Sequence, residues 1–122
     1  MTTPTAPHPA VVALPPGTVR IEDWQLSLDG RFYRFCQGET RDIATDSRYT
    51  PHIIGVWAHA AQFADGSIDD GSIIEAPAIS LDSDADGGRR ADLGIWLSCA
   101  AARRLADALV MAADELDGWA TR

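Results

Sequence analysis

An acidic run is the stretch of this sequence whose spacing most resembles a site for chemistry. Asp82, Asp84 and Asp86 stand at alternate positions and Gly87 follows them. This matches the first half of a calcium loop, with oxygen ligands at loop positions 1, 3 and 5 and glycine at position 6. Position 12, which needs a bidentate carboxylate, is Leu93. We expect a solvated acidic turn between two strands, with calcium binding as the alternative.

The histidines and cysteines do not have the spacing of a zinc site. His52 and His59 lie an odd number of positions apart on or near one predicted strand, which places them on opposite faces of a sheet. We expect structural or surface roles for them. Cys36 and Cys99 are too few for a disulfide framework, so we expect reduced thiols in a cytoplasm.

The sequence offers one set of carboxylates as candidates for acid/base chemistry and one cysteine as a candidate nucleophile. Carboxylates near a predicted hairpin suit an acid/base pair, although acidic turns have the same composition. They are Asp65, Asp69, Asp70 and Glu75. Cys99 lies at a helix start, where a thiol pKa is lowered, but no partner base is identifiable and a packing role is the alternative. We predict no catalytic residue, no cofactor and no enzymatic activity.

Residues 99–118 predict the one long α-helix of the chain. Ser98 has the side chain of an N-cap, and Gly118 is a residue at which a helix can end. With 3.6 residues per turn the helix has an apolar stripe, which we expect to face the core. The stripe consists of Ala101, Leu105, Ala108, Ala112, Leu116 and Trp119.

A second arc of small residues widens this apolar face to roughly half of the circumference, against about 100° for one core contact. The arc predicts contact with the same helix of a second copy in an isologous dimer. Alternatively, it reflects only the abundance of alanine, the best helix former. The predicted interface residues are Ala102, Ala106, Val110 and Ala113, with Arg103 and Arg104.

The charges of this helix run against its dipole. Arg103 and Arg104 lie in the first turns, and carboxylates lie near the end: Asp114, Glu115 and Asp117. An antiparallel pair of helices would place the two arginines of each copy beside Asp114 and Glu115 of the other. We therefore predict charge complementarity at both ends of the dimer.

Apolar and polar residues alternate in about five predicted β-strands before the helix. The turn at Asp29-Gly30 is the strongest hairpin signal, and a two-residue turn would pair Leu26 with Tyr33 and Trp24 with Phe35 on one face. Further strands are predicted within 53–63, at 73–74, 78–81 and 93–97, with a short extension at 40–44. The fold class is therefore α+β: an antiparallel meander of about five strands with one long C-terminal helix packed on one face, in two layers.

The opposite face of the first hairpin carries Phe32, Arg34 and Cys36. Aromatic and basic residues together are typical of platforms that stack single-stranded bases. The net charge of −8 argues against a nucleic-acid or anionic-membrane partner, because phosphate binding needs basic residues. Dimer contact or edge packing is the alternative role for this face.

The 122 residues predict one domain with a tail before it. Five of the seven prolines lie in residues 1–17, which we expect to be disordered, although 11–14 suit a short edge strand or a docking segment. Residues 18–122 form the predicted α+β domain. Since no segment has the composition of a membrane span or a signal peptide, we expect a cytoplasmic protein.

The last third of the chain has a recognisable order of features. Ile79-Ser80-Leu81 is followed by an acidic stretch, by Leu97-Ser98, and by a helix with the runs 102–109 and 112–115. A strand, a leucine, a cap, an Ala-Arg-x-Leu-Ala pattern and an Ala-Ala-Asp ending resemble the end of many small uncharacterised actinobacterial and mycobacteriophage proteins. The resemblance implies such an origin and no particular activity.

These features predict a small non-enzymatic interaction or regulatory protein, homodimeric through its C-terminal helix and able to bind a host protein. The alternative is an acidic mimic of nucleic acid that inhibits a DNA-binding enzyme, which would need its carboxylates in an ordered stripe. A third interpretation, an enzyme or small-ligand binder, needs a concave pocket with convergent polar groups.

Overall fold

In the computed structural model, which describes residues 4–8, 11–46 and 52–121, seven β-strands form one antiparallel sheet. The strands are β1 (Thr18–Ile21), β2 (Gln25–Leu26), β3 (Phe32–Gly38), β4 (Arg41–Ala44), β5 (Ile53–Phe63), β6 (Ala78–Asp86) and β7 (Arg89–Leu97). The sheet order is β1-β3-β5-β6-β7, with β2 also paired to β3 and β4 to β5. The α+β class is confirmed, with seven strands where about five were predicted.

A helix, α1 (Cys99–Ala120), follows β7 directly. The predicted N-cap is confirmed, because the N–H of Ala101 donates to the hydroxyl of Ser98 at 3.1 Å. The predicted end at Gly118 is wrong. Gly118 does not adopt the positive φ with which a glycine ends a helix, and the helix continues to Ala120 with Thr121 as its C-cap.

The first hairpin has a different register from the predicted one. Leu26 pairs with Phe32 and Gln25 with Tyr33, since the turn contains three residues between Ser27 and Arg31. Gly30 has a φ of +84°, as in the common three-residue loop that ends in a left-handed glycine. A register shift of one residue moves side chains to the other face, so Leu26 and Tyr33 lie on opposite faces.

The long strand β5 is central and divides the sheet into two faces that differ in chemistry. We call the side that carries Phe35, Trp57 and His59 the His59 face. The other side, with Arg34, Cys36 and Gln62, is the Arg34 face. The two faces follow from the alternation of side chains along each strand.

The Arg34 face is covered around Arg34, which bears on the base-stacking role that the sequence analysis considered for this face. Arg34 is 0 % exposed, its guanidinium lies 4.4 Å from the Trp24 ring, and it donates to Gln62 Oε1 at 2.9 Å. It also donates to the carbonyl of Val12 at 3.0 Å. Arg34 is therefore not available to stack on bases.

Part of the predicted tail contacts this face. Val12 is buried, and the carbonyl of Ala13 accepts a hydrogen bond from the Gln62 amide at 2.7 Å. Residues 1–3 and 9–10 of the same tail lie outside the described residues. These contacts hold the segment around Val12 against the sheet.

The helix contacts only β6 and β7 among the described strands, and none of its residues is buried. Ala101 and Ala102, in its first turn, are half-buried, whereas Leu105 and Trp119 are 39 % and 63 % exposed. The apolar stripe that was expected to face the core is therefore exposed in the single chain. The sheet and the helix remain consistent with two layers joined at the start of the helix.

Candidate functional site: the helix surface and the His59 cavity

Five of the predicted interface residues lie along one side of α1, and Arg104 lies on the opposite side of the helix. Ala102 is half-buried, and the other five are exposed: Arg103, Arg104, Ala106, Val110 and Ala113. On a helical wheel they adjoin the stripe that contains Leu105, Leu116 and Trp119. Roughly half of the helix circumference is thus apolar and uncovered.

The charged side chains of α1 form no ion pair with another residue that the structure describes. Among the described residues, none of the ion pairs includes Arg103, Arg104 or the carboxylates near the helix end. The helix also has no acidic residue in its first turn and no basic residue in its last turn. Its charges therefore remain unfavourable for the helix dipole in the single chain.

A second feature, which the sequence did not predict, is a group of polar side chains at the centre of the His59 face. His59 lies on β5, and its Nε2 is 2.6 Å from the hydroxyl oxygen of Ser80 on β6. On the other side of the imidazole, Nδ1 is 3.5 Å from Oε1 of Glu75. A hydroxyl, an imidazole and a carboxylate are thus arranged in a row.

The sheet register fixes the positions of Ser80 and His59 in this row. Ser80 pairs with Trp57 on β5 and with Trp96 on β7, so the serine has an indole on either side of it. Trp96 also contacts His59 edge to face, with 5.0 Å between the ring centroids. The rings pack around the imidazole and limit its orientation.

Glu75 is fixed by a loop rather than by a strand. Asp69, which is 2 % exposed, accepts hydrogen bonds from the backbone N–H groups of Gly71, Ile74 and Glu75 at 3.2, 2.6 and 2.9 Å. Residues 73–74 therefore form an irregular loop, and the strand predicted there is absent from it. The buried carboxylate of Asp69 holds this loop and places Glu75 beside His59.

These residues line an open cavity of about 290 Å³. The lining includes three aromatic rings and four other charged or polar groups besides the row itself: Phe35, Trp57, Trp96, Arg20, Glu22, Gln37 and Asp92. Arg20 is the one cation of this lining. The cavity is a concave pocket with convergent polar groups, the feature that the third interpretation of the sequence required.

The sequence assigned the members of this row to separate roles. His59 was expected to be structural, and Glu75 was grouped with Asp65, Asp69 and Asp70 as a candidate acid/base pair. The alternation of β5 already places Trp57 and His59 on one face. The position of Ser80 depends on strand register, and that of Glu75 depends on the loop held by Asp69, so neither could be read from the spacing.

The carboxylates of the candidate calcium loop are in a strand. The acidic turn expected at these residues is therefore wrong: Asp82 and Asp84 belong to β6, and the turn is formed by Gly87 and Gly88 after the strand. Asp82 accepts a hydrogen bond from Arg90 at 2.7 Å, and Asp84 accepts one from the N–H of Ile53 at 2.7 Å. The side chain of Asp86 lies outside the described residues. Among the described residues, no three His, Cys, Asp or Glu side chains are grouped as metal ligands would be.

The two cysteines differ in exposure, and His52 is half-buried. Cys36 is buried, which raises the pKa of its thiol, and Cys99 is exposed; both are free. His52 precedes β5 and lies 3.9 Å from Asp84. In the part of the chain described by the structure, no helix is long and apolar enough to span a bilayer.

The fold and site define the class of the protein as a seven-stranded antiparallel sheet with an uncovered C-terminal helix and an aromatic cavity. Comparison with protein-family models, curated proteins and solved structures finds no match to this chain.

Proposed function

We propose that the protein is a homodimeric interaction protein of the cytoplasm, whose C-terminal helix joins two copies. The observation that carries this proposal is a 22-residue helix with no buried residue and an apolar surface over half of its circumference. In proteins, most of the stability of a helix comes from packing its apolar face against other elements and little comes from helix propensity. A second copy supplies a surface for α1 to pack against.

The exposed area of the chain supports this proposal. A compact monomer of 13.1 kDa exposes about 6,400 Å². The single chain exposes 8869 Å², roughly 2,500 Å² more. A standard protein interface buries roughly 800 Å² on each partner, so an interface of that size is compatible with the exposed area of the chain.

The charge pattern of α1 favours antiparallel pairing. If two helices cross near Leu109 and Val110, Arg103 and Arg104 of each copy lie beside Glu115 and Asp114 of the other. Both ends of the helix pair then carry opposite charges, and the arrangement has the two-fold symmetry of an isologous dimer. The small side chains of Ala102, Ala106 and Ala113 permit close approach of the two helices.

The experiment is a measurement of solution mass by sedimentation equilibrium for the wild type and two matched variants. Val110→Glu places a charge within the second apolar arc, and Met111→Glu places the same charge about 100° further around the helix, outside that arc. Both positions are well exposed, at 60 % and 70 %. We expect a wild-type dimer that Val110→Glu converts to monomer and Met111→Glu leaves intact.

The expected loss for Val110→Glu is at least about 100-fold in dimer affinity, the cost of a few kcal/mol for a desolvated unpaired charge. A monomeric wild type at concentrations of about 100 µM would overturn the proposal, since an interface of this area associates more tightly. Equal effects of the two variants would instead show that the second arc is not the contact surface.

A further inference from the structure

We propose that Ser80, His59 and Glu75 form a nucleophilic site that hydrolyses small carboxylic esters with an aromatic or apolar acyl group. The inference goes beyond dimer formation and uses no residue of α1. It rests on the distance of 2.6 Å between Ser80 Oγ and His59 Nε2, which is within hydrogen-bond reach for proton transfer.

The carboxylate of Glu75, on the other side of the imidazole from Ser80, determines which ring nitrogen of His59 carries the proton. With Nδ1 of His59 facing Glu75 at 3.5 Å, the favoured tautomer carries its proton on Nδ1. Nε2 then accepts a hydrogen bond from the hydroxyl of Ser80. A nucleophile, a base within reach of it and a third group that orients the base are the three parts of an activated serine.

The cavity beside Ser80 supplies a place for the substrate. Ser80 is 1 % exposed, so an acyl group reaches its hydroxyl only from the cavity side, between Trp57 and Trp96. The two indoles and Phe35 offer apolar walls to an aromatic or branched acyl group. The volume of about 290 Å³ is at the lower end of the range for ligand pockets, which limits the substrate to small esters.

Arg20 supplies the positive charge that the reaction needs. It is the one cation among the cavity-lining residues, and it lies on the His59 face in the same cross-strand row as Gln37 and His59. A guanidinium next to the substrate stabilises the negative charge that develops on the carbonyl oxygen in the transition state.

The reaction has two balanced halves. Ser80 Oγ attacks the ester carbonyl carbon while its proton passes to His59 Nε2; the C–O bond then breaks, and the alcohol leaves with that proton. Ser80 now carries the acyl group as an ester. Water attacks this ester and gives a proton to His59, which returns it to Ser80 as the carboxylic acid is released.

The test is covalent labelling of the intact wild-type protein with a fluorophosphonate probe, followed by peptide mass mapping. Ser80 Oγ displaces fluoride from phosphorus, so phosphonylated Ser80 is expected, together with hydrolysis of p-nitrophenyl acetate. A serine hydrolase of known activity is labelled in parallel. If that enzyme is labelled and Ser80 of the wild-type protein is not, the proposal is overturned.

Variants separate a nucleophilic role from a structural one. Ser80→Ala and His59→Gln should each lower ester hydrolysis about 100-fold or more, and His59→Gln should also abolish labelling. The matched control is Ser83→Ala, which removes another buried serine of β6, whose hydroxyl accepts a hydrogen bond from the N–H of Ala85. This variant should leave both ester hydrolysis and probe labelling unchanged. Hydrolysis that persists in Ser80→Ala would show that the activity arises elsewhere. Solution mass is unaffected by these outcomes, so the dimer and the site are tested independently.

Discussion

At the scale of single residues, Asp69 fixes the loop that carries Glu75. Its buried carboxylate accepts from three backbone N–H groups of the loop that follows it. Burial alone would raise the pKa of Asp69, but the N–H groups of Ile74, Gly71 and Glu75 lower it below the ordinary value of 3.8. The charged form of Asp69 therefore holds the loop, and with it the position of Glu75.

Replacing Asp69 with alanine removes these three hydrogen bonds together. Bonds to a charged acceptor contribute about 1.5 to 3 kcal/mol each, but the loop at 71–75 is exposed or half-buried, so water replaces part of what is lost. We therefore expect Asp69→Ala to cost about 3 kcal/mol of unfolding free energy. Asp70→Ala, at the exposed neighbouring position, should cost less than about 1 kcal/mol. Urea denaturation of both variants measures the difference, and equal costs would contradict this role of Asp69.

The pH dependence of stability has a defined sign for this residue. A carboxyl whose pKa is lowered by folding stabilises the folded state above its ordinary pKa, here 3.8, and that contribution is lost as the pH falls toward the lowered value. The difference in stability between wild type and Asp69→Ala should therefore shrink below about pH 4.

At the scale of elements, the reversed charges of α1 can be tested by exchange. Arg103→Glu with Arg104→Glu places like charges beside Asp114 and Glu115 of the partner helix and should weaken the dimer about 10-fold to 100-fold at low salt. Adding Asp114→Arg and Glu115→Arg restores opposite charges and should restore the affinity. Sedimentation equilibrium of the two variants at low and high salt measures both effects.

The restored variant separates pairing from helix stability. Both variants change the interaction of the charges with the helix dipole, but only the restored one has complementary charges between antiparallel helices. If the restored variant were as weak as the first, an antiparallel arrangement would be contradicted.

The elements show how much of the fold follows from the sequence. The apolar run of β5, with its β-branched and aromatic residues, predicted a central strand, and the Ser98 cap predicted the start of α1, because both signals are local. The first hairpin was predicted in the wrong register, since the residues Asp29-Gly30 suit both a two-residue turn and the three-residue turn that occurs. The helical period shows an apolar stripe but not whether the same chain or another molecule covers it.

The candidate site could be predicted only in part, because a local sequence pattern does not show which distant residues come together. The interface residues of α1 follow from helical periodicity, and their exposure agrees with a contact surface. The row of Ser80, His59 and Glu75 combines two strands and a loop, with partners that lie far apart in the sequence. Long-range register of this kind is not encoded in any local pattern.

At the scale of the whole molecule, the proposed dimer would link stability to protein concentration. If folding and association are coupled, each tenfold dilution should lower the melting temperature by about 3 °C, given an unfolding entropy of about 2.1 cal/mol/K per residue in both chains. Calorimetry over a hundredfold range of concentration measures this slope. Val110→Glu should melt at a temperature independent of concentration, and a flat wild-type profile would contradict the coupling.

The irregular pairing of β7 determines how far such association can extend. Between the pairs Asp82–Asp92 and Ser80–Trp96, three residues of β7 face a single residue of β6, and Gly94 in their centre has a φ of +70°. β7 is an edge strand, and an edge that is bulged and carries the charges of Arg89 and Arg90 is a poor template for another strand. The bulge and these charges therefore disfavour the joining of sheets of neighbouring molecules along β7, so the proposed helix-paired dimer would be a closed assembly.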